Sequence, residues 1–182
     1  TLAFTAFVLS KLAQYKPIQG VIKPAHFHNL GNMCFAFVIL WTYMSFAQFI
    51  IIWSGNLPEE ITWYLARTTP GWKIVAVLLA VVAFALPFFL LLSRVSKLNE
   101  RILAAVCLFV ILPMRLVDNF WVIAPSFDKA GVSVNYLDLV IPVAMGGLWL
   151  YLFLGYLRKY SLLPKHDPRF EEAFPVKEVS HG

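Results

Sequence analysis

The 182-residue chain is 60% hydrophobic and only 14% charged, whereas soluble domains lie nearer half apolar and a quarter charged. That balance argues against a soluble enzyme, and the formal charge of +5 is not read as nucleic-acid binding, because Lys and Arg gather in the loops of membrane proteins as an orientation signal. Cys34 and Cys107 both fall within apolar segments, which does not suit a secreted disulfide framework.

The predicted fold class is all-α, a polytopic transmembrane helix bundle of four full spans plus one truncated span. Thr1 to Gln14 is too short to cross a bilayer, since a span needs about 20 residues. No charged region precedes it and no cleavage site follows it. It is predicted to be the remnant of a helix, with further helices upstream. Residues 15–29 follow as a loop in which Pro17, Gly20 and Pro24 prevent a continuous helix. Spans are predicted over 30–53, 72–92, 101–123 and 136–157, joined by loops 54–71, 93–100 and 124–135 and followed by a tail, 158–182. Asn56 is the expected N-cap of a short surface helix from Pro58 to Arg67.

Charge orients these spans. Lys11, Lys16 and Lys23 lie on one side with Arg94, Lys97, Arg101 and the basic tail, while the other side has Arg67, Lys73 and Lys129. The positive-inside rule puts loops 15–29 and 93–100 and the C-terminus in the cytoplasm. Trp53, Trp63 and Tyr64 then form aromatic girdles around an external turn that presents Glu59 and Glu60, as an outer mouth or a subunit-docking surface.

The polar residues inside the spans are the candidates for function. The second helix places Cys34, Trp41, Ser45 and Gln48 in one stripe, with Asn32 and Tyr43 on the far side, and is predicted to be buried between neighbours. Gln48 and Ser45 either line a proton or water path or make interhelical hydrogen bonds, worth about 0.6 to 2 kcal/mol each. The third helix is nearly pure hydrocarbon and is predicted to face lipid, with Lys73 snorkelling. In the fourth, Pro113 removes an N–H and frees the carbonyl of Phe109. Arg115, Asp118 and Asn119 share a face beyond it. An unpaired Arg115 in hydrocarbon costs at least about 3 kcal/mol, so Asp118 is its expected partner, as a structural pin or as a proton-loading site. Asp138 opens the fifth helix, where it suits the helix dipole and could join the outer acids. His26 and His28 stand at the cytoplasmic entry, where imidazoles can pass protons near neutral pH. No histidine lies deep in a span, which argues against bis-histidine haem in this stretch. Metal motifs, nucleotide loops and catalytic triads are absent from the sequence.

One string adds a resemblance. His28-Asn29-Leu30-Gly31-Asn32, Phe35-Ala36-Phe37, Gln48-Phe49 and Trp53-Ser54-Gly55-Asn56-Leu57-Pro58-Glu59-Glu60-Ile61 together resemble the F subunit of alternative complex III, a bacterial quinol:electron-acceptor oxidoreductase. That subunit belongs with the NrfD-like, polysulfide-reductase-type membrane anchors. The match spans the second helix and its external turn, and Asn29 stands where relatives often carry an acid. The resemblance implies that this chain is the later half of a two-bundle subunit in the bacterial cytoplasmic membrane. It further implies a sister NrfD-like subunit holding the quinol site and periplasmic partners carrying haem c and iron–sulfur clusters, with menaquinol or another quinol as reductant. No cofactor is expected within this stretch. Its role would be assembly and proton translocation, from His26 and His28 past Gln48 and Tyr43 to Arg115 and Asp118. Direct quinone binding at Trp41, Tyr43 and Gln48, secondary transport and a purely structural scaffold are the alternatives.

Overall fold

The computed structural model describes residues 1–15, 22–127 and 131–160. Lys16, Pro17, Gly20, Lys129, Lys165, Arg169, Lys177, His166 and His181 lie outside the described residues, as does the tail from residue 161. The described residues form helices and no strand. In chain order these are α1 (Leu2–Leu12), α2 (Pro24–Gly55), α3 (Pro58–Leu65), α4 (Pro70–Leu92), α5 (Arg94–Leu98), α6 (Glu100–Ser126) and α7 (Tyr136–Lys159). Four of them, α2, α4, α6 and α7, are long and apolar enough to cross a membrane. The chain is an all-α, multi-pass membrane protein.

Local chemistry explains where α2 starts and stops. Pro24 occupies the first turn, where its missing N–H costs nothing. The Nδ1 of His26 accepts the N–H of Lys23 at 3.1 Å, satisfying a donor that the helix leaves free. The helix therefore begins at Pro24, earlier than the expected Leu30. It ends on Asn56, which adopts the left-handed conformation (φ 45°) and donates its N–H to the Ile52 carbonyl at 3.1 Å. Asn56 is thus the C-cap of α2 and not the N-cap of α3, because asparagine tolerates the left-handed region that closes a helix. Leu57 is extended and caps α3, with Pro58 in its first turn.

Proline also shapes α4 and α6. Each contains a π-helical stretch, Leu79–Ala85 ahead of Pro87 and Cys107–Ile111 ahead of Pro113. The N–H of Leu86 bonds to the Val81 carbonyl and that of Leu112 to the Cys107 carbonyl, five residues back instead of four. A proline ring crowds the carbonyl four residues before it. Widening the preceding turn accommodates the ring without ending the helix.

Residues 1–132 make one compact unit. Its core gathers Ala3 and Ala6 of α1, Phe27 and Cys34 of α2, Leu91 of α4, and Leu103, Val106 and Cys107 of α6. α2 packs on α1, on the Leu86–Leu92 end of α4 and on α5, while α4 packs on α6. Two expectations are corrected here. The third predicted span does not simply face lipid, since Trp72, Leu79, Ala83, Pro87 and Leu91 form a buried stripe on α4. The second predicted span is not buried along its length. Phe27, Gly31, Cys34 and Val38 are buried, and past Val38 the helix has no buried residue. The buried stripe of α4 runs from Trp72 to Leu91, nearly the whole helix, whereas the residues of α2 past Val38 are exposed or half-buried.

Residues from Ser133 form the second unit, whose described element is α7. Its N-terminus is a reciprocal cap. The Asp138 carboxylate accepts the Asn135 N–H at 2.9 Å, and the Asn135 side chain accepts the Leu137 N–H. Arg158 and Lys159 in the last turn complement the helix dipole.

Gly31 admits a cation into the first unit. A Cβ at this position would lie 2.8 Å from Cγ of Lys97, in the middle of a stem that cannot swing aside. Gly31→Val is expected to lower stability by about 1 to 3 kcal/mol through overpacking. Comparing detergent-phase thermal unfolding of the variant and the parent measures this.

Candidate functional site

Three polar clusters interrupt the apolar surfaces of the first unit, at successive levels along α2 and α6. The middle one is built around Arg115 and Asp118 of α6. Arg115 Nη1 lies 3.3 Å from Asp118 Oδ2, a pair three residues apart on one helical face. The Arg115 guanidinium also stacks over the ring of Trp41 on α2, 4.2 Å from its centroid. The Trp41 indole also stands near the Asp118 carboxylate. The pair therefore closes within one helix and is tied to the other through a single aromatic side chain. The side chains of Arg115 and Asp118 remain 34% and 17% exposed, so the cluster opens sideways.

The second cluster lies where α2 begins. Lys97 of α5 is buried, and its ammonium donates to Asn32 Oδ1 at 2.7 Å. Asn32 Nδ2 approaches His28 Nδ1 at 3.4 Å, and Lys97 Nζ stands over the Phe35 ring at 5.5 Å. His28 therefore joins a polar chain, while His26 serves as a helix cap. Between the two clusters along both helices sit the thiols of Cys34 and Cys107. Both are buried and free, and the two thiols neighbour one another.

The third cluster closes the far end. Arg67 is buried and donates to three carbonyls: Trp63 at 2.6 Å, Trp121 at 3.1 Å, and Val122. Its guanidinium lies 3.4 Å over the Trp63 ring and 5.4 Å from that of Trp121. The carbonyls at a helix C-terminus lack intrahelical donors, and Arg67 supplies donors to α3 and α6 together. Burial lowers the Arg67 pKa from its ordinary value, but arginine starts so high that it stays charged. Burial raises the Tyr64 phenol, with nearby Arg67 opposing the shift. Phe49 of α2 meets Tyr64 edge-on at 5.3 Å, which ties α3 to both long helices.

The other sequence candidates stand apart from these clusters. Glu59 and Glu60 are exposed in the first turn of α3, where the helix dipole favours them. Gln48 and Tyr43 are exposed on different faces of α2. Asp138 is occupied in capping α7. No group of His, Cys, Asp and Glu among the described residues could hold a metal ion. Lys97 and Arg67 were legible in the sequence only as loop charges. The available signals were local: Arg67 follows Trp63 by one helical turn, and Gly31 leaves room for a long stem.

With this geometry in place, comparison with known proteins gives a plain result: no family model matches the chain, and no curated protein matches it.

Replacing Asp118 by Leu is expected to strand Arg115 in hydrocarbon and to cost at least about 3 kcal/mol, read as a lower midpoint in detergent unfolding. The Tyr64 shift predicts alkaline sensitivity. Its folded pKa lies above the ordinary 10.0, so the unfolded chain loses this proton first. Stability is then unaffected below the ordinary value and falls as pH rises through the interval up to the folded pKa. An unfolding series across that interval should show the fall, and Tyr64→Phe should flatten it.

Proposed function

We propose that the chain is a cofactor-free membrane subunit of a bacterial quinol:electron-acceptor oxidoreductase of the alternative complex III type. In this proposal it supports assembly and carries protons across the membrane while quinol is oxidised in a sister NrfD-like subunit. The observation that carries the proposal is the linkage of Trp41, Arg115 and Asp118 across two apolar helices. Ionisable groups in a span are costly to keep and mark ion or proton routes. The string from His28 through Ile61, with its resemblance to that family's F subunit, supplies the redox context.

In this reading the Lys97–Asn32–His28 end faces the cytoplasm, in keeping with the basic residues around it. A proton enters beside His28, passes the level of Cys34 and Cys107 through bridging water, and is held at Asp118. Arg115 and the Trp41 indole then set how readily the carboxylate releases it. Release is toward Glu59 and Glu60, which also offer an acidic surface to periplasmic haem c and iron–sulfur partners. Gln48 and Tyr43 have no necessary part in this route.

The test is the proton-to-electron ratio of the purified complex in liposomes, with quinol as reductant. Asp118→Asn removes the titratable group while keeping hydrogen-bonding capacity. The expected outcome is continued quinol oxidation with a reduced proton ratio. An unchanged ratio at full turnover rejects the route.

A further inference from the structure

The turn between α4 and α6 carries charge that the first unit leaves unused. α4 ends at Leu92 and α6 begins at Glu100, and both are long and apolar enough to cross a membrane. Residues 93–99 between them, which include the single turn of α5, therefore lie where the bilayer meets water. α5 can rise at most about 7 Å, and the headgroup layer on each side of the hydrocarbon is about 5 to 8 Å deep. Side chains on this turn are thus held at the depth of the lipid phosphates. Lys97 is committed inward, to Asn32 and the Phe35 ring. Arg94 and Arg101 are exposed, and among the described residues neither guanidinium makes a hydrogen bond or an ion pair.

Apolar side chains adjoin these cations. Val95 is 71% exposed, Leu98 38% and Ile102 39%. An open cleft of about 560 Å³ is lined by Val95, Leu98, Asn99, Glu100 and Arg101. Asn99 Oδ1 accepts the N–H groups of Arg101 and Ile102 at 3.0 and 3.3 Å. Those backbone donors are thus taken, and the guanidinium groups are left for an acceptor from outside. The opposite end of α4 differs: Arg67 there is held by carbonyls, and Glu59 and Glu60 are exposed. We propose that the corner between α4 and α6 binds the headgroup of an anionic phospholipid of the surrounding bilayer. Arg94 and Arg101 hold the phosphate, and Val95, Leu98 and Ile102 cover the upper part of the acyl chains. The guanidinium fork offers paired N–H donors that match a phosphate, and a basic turn beside a span attracts anionic lipid. A zwitterionic lipid fits less well, because the two free arginines outnumber Glu100. A protein partner in water also fits less well, because so short a turn keeps its cations at the level of the headgroups. The site requires only that α4 and α6 span a membrane and does not depend on the redox proposal.

The experiment titrates lipid onto the full protein, extracted in a neutral detergent and freed of loosely held lipid, and reads the first lipid bound by native mass spectrometry. Phosphatidylglycerol is expected to bind severalfold tighter than phosphatidylcholine or phosphatidylethanolamine. Arg94→Gln and Arg101→Gln should each weaken phosphatidylglycerol roughly fivefold. Lys73→Gln, which removes an exposed cation at the other end of α4, should leave its affinity unchanged. Both arginines are exposed and unpaired, so the unfolding midpoint without lipid should match the parent's in either variant. Equal affinity for the three lipids would overturn the proposal, as would a preference for phosphatidylethanolamine that Glu100→Gln removes. An affinity unaltered by both arginine substitutions, as follows if protein acids cover them, would overturn it too. So would an equal weakening by Lys73→Gln, full displacement by inorganic phosphate at the lipid's concentration, or a midpoint shifted in the absence of lipid.

Discussion

Each cation that the apolar helices bury in whole or in part rests on an aromatic ring: Lys97 on Phe35, Arg115 on Trp41, and Arg67 on Trp63 and Trp121. The rest of the unit depends on this pairing. A cation in a span needs more than one acceptor, and apolar helices supply few. The face of an aromatic ring attracts positive charge and is itself compatible with hydrocarbon, contributing about 2 kcal/mol or more where water is excluded. Each ring belongs to a different helix from the cation it meets, or bridges to one, except Trp63, which stands one turn before Arg67. The cations therefore act as ties between helices that have little else polar to share.

The three ties divide the labour. Arg67 gathers the carbonyl ends of α3 and α6 and so positions the acidic turn of α3. Lys97 brings α5 against α2 through Asn32, over the notch left by Gly31. Arg115 connects α6 to α2 at the level where α2 leaves its neighbours. The middle tie has an acid beside it and is the most open of the three.

Much of the architecture was legible in the sequence because long apolar runs have few alternatives in a bilayer. The four spans and the Arg115–Asp118 pair follow from hydropathy and a three-residue spacing. What could not be read was tertiary. Lys97 and Arg67 look like loop charges because nothing local reveals which ring or carbonyl will meet them. Asn56 suits either end of a helix, and its left-handed backbone decided for the C-cap. The burial of α2 and α4 was misjudged. The α4 stripe from Trp72 to Leu91 is buried although that helix is nearly pure hydrocarbon, and the polar stripe of α2 past Val38 is not buried by the other helices of the first unit.

The π-helical stretches have a consequence for register. Each wide turn accommodates an extra residue relative to α-helical winding, so the residues after it keep a facing that a regular helix would have lost. Rewinding Cys107–Ile111 as regular α-helix with every residue kept would rotate everything beyond Pro113 by about 100°. Arg115 would swing away from Trp41, and the carbonyls of Trp121 and Val122 away from Arg67. The Arg115 and Trp121–Val122 levels of α6 thus share one phase, set upstream of both, and a single-residue deletion within the wide turn, by removing its extra residue, would leave both levels facing their partners.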